Sequence, residues 1–137
     1  MGEEEAGEVR FVDTNIFLYV IQAHPEFGEK SKEILERIDM GEEAITSLLN
    51  IAEVCWWMEK HGKKDRIEDE LRLINSILNL KIISPTIDDF LLAARYVRDY
   101  SIDFNDCVSL AVMKRFDVNT IYSNDRDFDK TWAIRMF

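Results

Sequence analysis

The chain has 137 residues, 17 Lys and Arg against 27 Asp and Glu, a formal net charge of −10, and 47% hydrophobic residues. That length suits one domain with a real core. The charge is opposite to that of a protein that coats duplex nucleic acid, so any nucleic-acid contact has to be local and helped by bound cations. No run approaches the roughly 18 apolar residues of a membrane span, and "MGEEEAGEV" is neither a secretory signal nor a myristoylation site. It reads as a disordered acidic tail (1–8) before one domain (9–137) of a cytoplasmic protein.

"VRFVD" (9–13) is a short apolar run ending in a carboxylate, the pattern of a buried strand. "TNIFLYVI" turns into a helix, with Thr14 or Asn15 as its cap. Pro25 keeps this helix short, and a second helix runs from about Glu26 to Asp39, stopped by Gly41. "EAIT" (43–46) is the second strand. Thr46 or Ser47 caps the next helix, which runs to about His61. "RIEDELRLINSILNL" is amphipathic, with Ile67, Leu71, Ile74 and Leu78 at helical spacing. "KIIS" is the third strand. "TIDDFLLAARYVRDY" sets Phe90, Ala94 and Val97 on one side of a helix. "DFNDCVSLAVMKRF" is a further helix, "VNTIYS" the fourth strand, and "TWAIRMF" a short edge strand. Alternation of short apolar strands with helices predicts a parallel sheet covered on both faces.

Cys55 and Cys107 read as buried free thiols in helices. With no closely spaced Cys pair and only His24 and His61, zinc chemistry has no support.

Ligands of open parallel sheets gather beyond the carboxyl ends of the strands. Asp13 closes the first strand and Asp125 follows the fourth, so both reach one rim. Glu53 lies in an apolar helix beside Asn50 and Trp57. It either looks to solvent or aims inward at a cation. Asp103 reads as the cap of the late helix. Asp106 is then either the third residue of an acidic capping box or a site carboxylate at the positive helix end. Converging acids repel one another and raise each other's pKa. A hard divalent cation such as Mg²⁺ offsets that cost, and one or two such ions can activate water against a phosphodiester.

These residues resemble the motifs of the PIN domain family, the small ribonuclease fold found in many VapBC-type toxins. "FVDTNIFLY" is similar to its first block, "AITSLLNIAEV" to the second, "FNDCVSLAVMKRF" to the third and "IYSNDRDFD" to the last, in order and over nearly the whole chain. The resemblance implies a PIN-like three-layer α/β/α sandwich around a short parallel sheet. It implies Asp13, Glu53, Asp106 and Asp125 as metal and catalytic carboxylates for Mg²⁺ or Mn²⁺, with Asn15, Ser47, Ser123 and Asp127 in support. It further implies an RNA substrate, a homodimer and a small antitoxin partner, with no membrane association. Trp56, Trp57 and Met58 are read as apolar helix surface for the homodimer, one of the two Trp being core.

The leading expectation is therefore a metal-dependent endoribonuclease, the toxin of a toxin–antitoxin pair. A catalytically silent PIN-like binding module and an RNA-processing nuclease outside such a pair are the alternatives. A phosphatase or phosphoacceptor domain is disfavoured, because Asp-x-Asp-x-Thr is absent after the first strand.

Overall fold

The computed structural model describes residues 8–137, so the expected acidic tail lies outside it except for Glu8. The described residues form five strands and six α-helices: β1 (Arg10–Val12), α1 (Thr14–Ile21), α2 (Gly28–Asp39), β2 (Ala44–Ser47), α3 (Leu48–Lys60), α4 (Ile67–Asn75), β3 (Leu80–Ile83), α5 (Ile87–Tyr100), α6 (Phe104–Arg115), β4 (Thr120–Tyr122) and β5 (Ile134–Met136). Short 3₁₀ turns occupy Lys64–Arg66 and Arg126–Lys130. The sheet order is β3-β2-β1-β4-β5, with every pair parallel. β1 is central. The chain builds outward on one side through β2 and β3, then crosses to β4 and β5. The order therefore reverses between β1 and β4, where parallel sheets open a crevice at their carboxyl ends.

The strands alternate their side chains between two cores. Phe11, Ile45 and Ile121 join Ala93, Val108, Leu110, Val112 and Phe128 on the α5–α6 side. Val12, Ala44 and Tyr122 join Ile16, Phe17, Ile34, Ile38, Val54 and Met58 on the α1–α4 side. This is the expected three-layer α/β/α sandwich. Because both faces of the sheet are covered, its strands read as continuous apolar runs.

Local chemistry moves several expected boundaries. The second helix starts at Gly28 rather than Glu26, because His24 Nδ1 accepts the amides of Glu26 and Phe27, each at 3.1 Å. The amphipathic segment 66–80 stays helical only to Asn75. Ser76 Oγ donates to the Leu73 carbonyl at 2.7 Å, and Asn79 takes φ 69°, turning the chain into β3 one residue early. In α5 the buried side carries Asp89 and Ala93, with Val97 half-buried, while Phe90 and Ala94 are exposed. A capping box holds Asp89 at the start of this helix. Thr86 Oγ1 accepts from the Asp89 amide, and the Asp89 carboxylate accepts from the Thr86 amide at 2.9 Å. Cys107 is buried as expected, but Cys55 is only half-buried.

Asp89 also ties α5 to α6. Arg115 Nη2 donates to Asp89 Oδ2 at 2.8 Å and Nε to Oδ1 at 3.1 Å. Burial penalises the Asp89 charge, yet the bonds from Arg115 and Thr86 outweigh it and hold the carboxyl below its ordinary value. Arg115→Met should therefore cost about 2–3 kcal/mol, less than a fully buried pair because Arg115 is partly solvated. A carboxylate with a lowered folded pKa stabilises above its ordinary value of 3.8 and loses that contribution as pH falls through the lowered one. Urea titrations should show the variant's deficit at pH 7 and its narrowing below about pH 4.

Candidate functional site

β1 ends at Val12, and its ladder with β4 continues one step further, the Asp13 amide donating to the Tyr122 carbonyl at 3.0 Å. This holds Asp13 at the β1–β4 crevice, buried to 5% exposure. Its carboxylate is surrounded by donors of the chain itself. Oδ1 accepts from the Thr14 amide (2.8 Å) and Asn50 Nδ2 (3.3 Å). Oδ2 accepts from Ser123 Oγ (2.6 Å) and Asn15 Nδ2 (3.3 Å). Asp13 is thus the N-cap of α1, the role expected of Thr14 or Asn15. Burial pushes its carboxyl up to about 6; the Ser123 and Thr14 bonds oppose this, while the charges of Glu53 and Asp125 add to it.

Displaced from capping, Thr14 turns its hydroxyl to Glu53. Thr14 Oγ1 donates to Glu53 Oε1 at 2.6 Å, and Asn105 Nδ2 donates to Oε2 at 2.7 Å. Glu53 is therefore half-buried and directed inward, not to solvent. Ser47 is the cap of α3, accepting from the amides of Leu49 and Asn50, and its hydroxyl donates to Asn50 Oδ1 at 2.8 Å. Thr46, the other expected cap, instead donates to the Val12 carbonyl at 2.7 Å.

On the β4 side, Ser123 Oγ accepts from the Asp125 amide at 3.0 Å, so this one hydroxyl links Asp13 to the last block. Asn15 bridges the same gap, its Oδ1 accepting from the Asn124 amide at 3.3 Å. Asp125 Oδ1 accepts from the Asp127 amide at 2.9 Å and caps the 3₁₀ turn. That turn brings Asp127 back beside its own cap. One ligand oxygen each of Asp106, Asp125 and Asp127 lies within 4.8 Å of the others. Asp127, expected only in support, thus sits in the tightest carboxylate group, while Asp13 and Glu53 flank it with their oxygens already hydrogen-bonded.

Asp106 occupies the first turn of α6. Asp103 is the residue before that helix but makes no side-chain capping bond, so the expected capping box is not formed. Asp106 is free to face the other acids. Burial, then the charges of Asp13, Asp125, Glu53 and Asp103, raise its carboxyl to about 8. A group that holds a proton at neutral pH among four acids marks a surplus of negative charge. The donor set is all carboxylate, and hard divalent cations prefer oxygen ligands. The residues present therefore fit Mg²⁺ or Mn²⁺.

Two participants were not singled out from sequence. Asn50 is buried to 3% exposure and joins Asp13, Thr14 and Ser47; Asn105 holds Glu53. Asn50 was legible as the residue three before Glu53 on the same helix face. Asn105, beside Asp106, carried no such signal.

Comparison with known proteins bears on the family and the fold. The model of the PIN domain matches residues 10–132. No curated protein matches significantly. Among solved structures, the chain is similar to Mycobacterium tuberculosis VapC20, a toxin that cleaves the sarcin-ricin loop, at a TM-score of 0.76 and 18% identity, covering 89% of this chain and 93% of that one. It is also similar to VapBC2 of Rickettsia felis bound to a DNA fragment from its promoter, at 0.72 and 20%, covering 93% and 97%. A toxin–antitoxin complex from Klebsiella pneumoniae follows at 0.65 and 19%, covering 87% and 89%. At these identities the structural likeness establishes a shared fold, and the family match spans most of the chain: the protein belongs to the PIN domain family.

Proposed function

We propose that this protein is a Mg²⁺- or Mn²⁺-dependent endoribonuclease that hydrolyses RNA phosphodiester bonds in the cytoplasm, as the toxin of a VapBC-type pair. The observation that carries this reading is the convergence of Asp106, Asp125 and Asp127 beside Asp13 and Glu53 at the sheet's switch point. Asp106, Asp125 and Asp127 would hold the cation, with Asp13 and Glu53 completing the negative field around it. When bound, the cation supplies a Lewis acid for the phosphoryl oxygens and lowers the pKa of water. Asn15, Ser123 and Asn50 hold the Asp13 carboxylate in place; Thr14 and Asn105 do the same for Glu53. Asp106 would have to be deprotonated to hold the cation, so uptake should tighten as pH rises.

An antitoxin partner is supported by the neighbours that are themselves VapBC or toxin–antitoxin assemblies. It also fits an apolar groove of about 300 Å³ lined by Phe17, Val20, Ile21, Leu35, Leu73 and Ile77. A homodimer remains part of the proposal, though on a different surface. Met58 is fully buried and Trp57 is half-buried against the core and stacked on His61, leaving Trp56 as the exposed member of that stretch. Ile87 and Leu91 are exposed one turn apart on α5, next to Phe90, whose ring meets Phe104 at 5.3 Å. Analytical ultracentrifugation at micromolar concentration should give twice the 16.1 kDa chain mass, and Leu91→Glu should shift it to monomer. A wild-type protein sedimenting only as monomer would contradict the assembly.

A matched pair tests the nuclease. Asp103→Asn should cleave single-stranded RNA under Mn²⁺ near the wild-type rate, and Asp103→Ala should lose well under the roughly 1 kcal/mol of a true cap. Asp106→Asn should fold but lose cleavage and metal affinity, because an amide is a poor ligand for a hard cation. Equal, full activity in both variants would reduce Asp106 to a bystander. Absence of carboxylate-dependent Mn²⁺ binding by isothermal titration would favour a catalytically silent binding module.

The raised carboxyls of Asp106 and Asp13 give a further test. The metal-free folded protein holds these protons more tightly than the unfolded chain, so its stability falls as pH rises from the ordinary value near 3.8 to about 8, then levels off. Melting curves between pH 5.5 and 8 should show a declining Tm for the metal-free wild type and a flatter profile for Asp106→Asn. Saturating Mn²⁺ should raise the wild-type Tm most at pH 8.

A further inference from the structure

A polyanionic substrate approaching this site meets carboxylates, and the chain as a whole is acidic. Cations fixed at the rim would bring phosphate in, and the last block supplies Arg126, Lys130 and Arg135, with Arg126 exposed. Arg135 is committed: its guanidinium binds both oxygens of Asp129, at 3.0 and 3.2 Å, and the Ser123 carbonyl at 3.3 Å. Lys130 is different. Its Nζ lies 3.3 Å from Asp127 Oδ1, so the ammonium touches one of the three grouped carboxylates. The placement follows from the backbone. In a 3₁₀ helix residues three apart eclipse one another, and the turn Arg126–Lys130 sets Lys130 over Asp127. The turn itself is anchored by the fully buried Phe128 and by the Asp125 cap.

The pair is poised for exchange. The Lys130 side chain is 57% exposed and that of Asp127 44%. Such a solvated ion pair contributes little stability, and breaking it leaves both partners in water. A divalent cation held by the group would compete directly with the ammonium for Asp127. Once displaced, Lys130 sits at the edge of the site with an unpaired charge on a flexible stem, well suited to a phosphate oxygen.

We propose that Lys130 is a phosphate-binding residue for the RNA substrate: it occupies Asp127 in the metal-free protein and turns to the substrate phosphate when a divalent cation takes Asp127. This rests on the nuclease reading and assigns a substrate contact within it. The two roles of one ammonium predict opposite effects of its removal, which a merely structural ion pair would not produce.

The test uses the full chain with Lys130→Gln and Lys130→Arg. Mn²⁺ affinity, by isothermal titration without RNA, should rise severalfold in Lys130→Gln because its internal competitor is gone. Binding of a labelled single-stranded RNA in Ca²⁺, with the RNA verified intact by gel, should weaken about fivefold. Its dependence on log salt should become shallower by about 0.7, the value for one lost phosphate contact on a single strand. KM for cleavage under Mn²⁺ should rise more than kcat falls, and Lys130→Arg should restore RNA affinity to within about twofold. Tighter Mn²⁺ binding with unchanged RNA affinity and salt slope would leave Lys130 as a counter-ion of Asp127 and overturn the proposal. So would Lys130→Gln behaving as wild type in every assay while the wild type binds and cleaves RNA. A wild type that neither binds nor cleaves RNA would sink the nuclease reading and this contact together.

Discussion

A carboxylate buried to 5% exposure at the centre of a parallel sheet is the constraint around which this fold is arranged. Leaving such a group without partners costs far more than an exposed pair returns. Asp13 is tolerated because four donors from three segments meet it: the Thr14 amide and Asn15 of α1, Asn50 of α3, and Ser123 after β4. Each of those donors is itself held. Ser123 also accepts from the Asp125 amide, Asn50 is tied to the α3 cap, and Asn15 reaches the Asn124 amide. The bonds that satisfy Asp13 thereby join the ends of β1, β2 and β4. One group's demand for hydrogen bonds sets the register of the whole rim.

The remaining acids divide by whether the chain satisfies them. Asp13 and Glu53 have both oxygens engaged by protein donors, so their positions are defined without help. Asp106 lacks any such donor among the described side-chain bonds, and Asp125 and Asp127 accept little beyond the turn's own amide and Lys130. The network is complete on one side and open on the other. An incomplete set of oxygen acceptors with excess negative charge has two remedies, protons or cations. The rise of Asp106 to about 8 is the first remedy. A divalent ion would be the second, and the two exclude one another at that carboxylate.

The architecture was legible because its central strands are buried on both faces and several of its helices are bounded by Gly, Pro or polar caps. Those signals depend only on neighbours in the chain. The β1, β2 and β4 assignments, and Asp13 and Asp125 on one rim, follow from them. What failed to read through depends on long-range partners. The face of α5 turned on Asp89, whose burial makes sense only with Arg115 twenty-six residues away. Asp103 looked like a cap by composition, yet its side chain makes no such bond, and Asp13 took a capping role that Thr14 and Asn15 had seemed to offer. Asn105 was invisible because its value lies wholly in reaching Glu53 on another helix. The closeness of Asp127 to Asp125 was not legible, since only the 3₁₀ turn, a feature of three-residue periodicity in a stretch that reads as loop, carries it back.

α6 explains why Asp106 stays where it does despite the repulsion. Seven consecutive residues, Cys107 to Met113, are buried, so this helix is enclosed on every side rather than along one stripe. Such a helix cannot roll or slide to relieve strain at its first turn. Its positive end favours a carboxylate there, but only by a modest amount, and burial with four acidic neighbours outweighs it, as the direction of the Asp106 shift records. The core thus holds a carboxylate against its own electrostatic preference. The apolar packing of α6 stabilises the fold enough to carry that local cost, and in doing so it keeps an acid-rich, cation-ready group preformed at the end of the sheet.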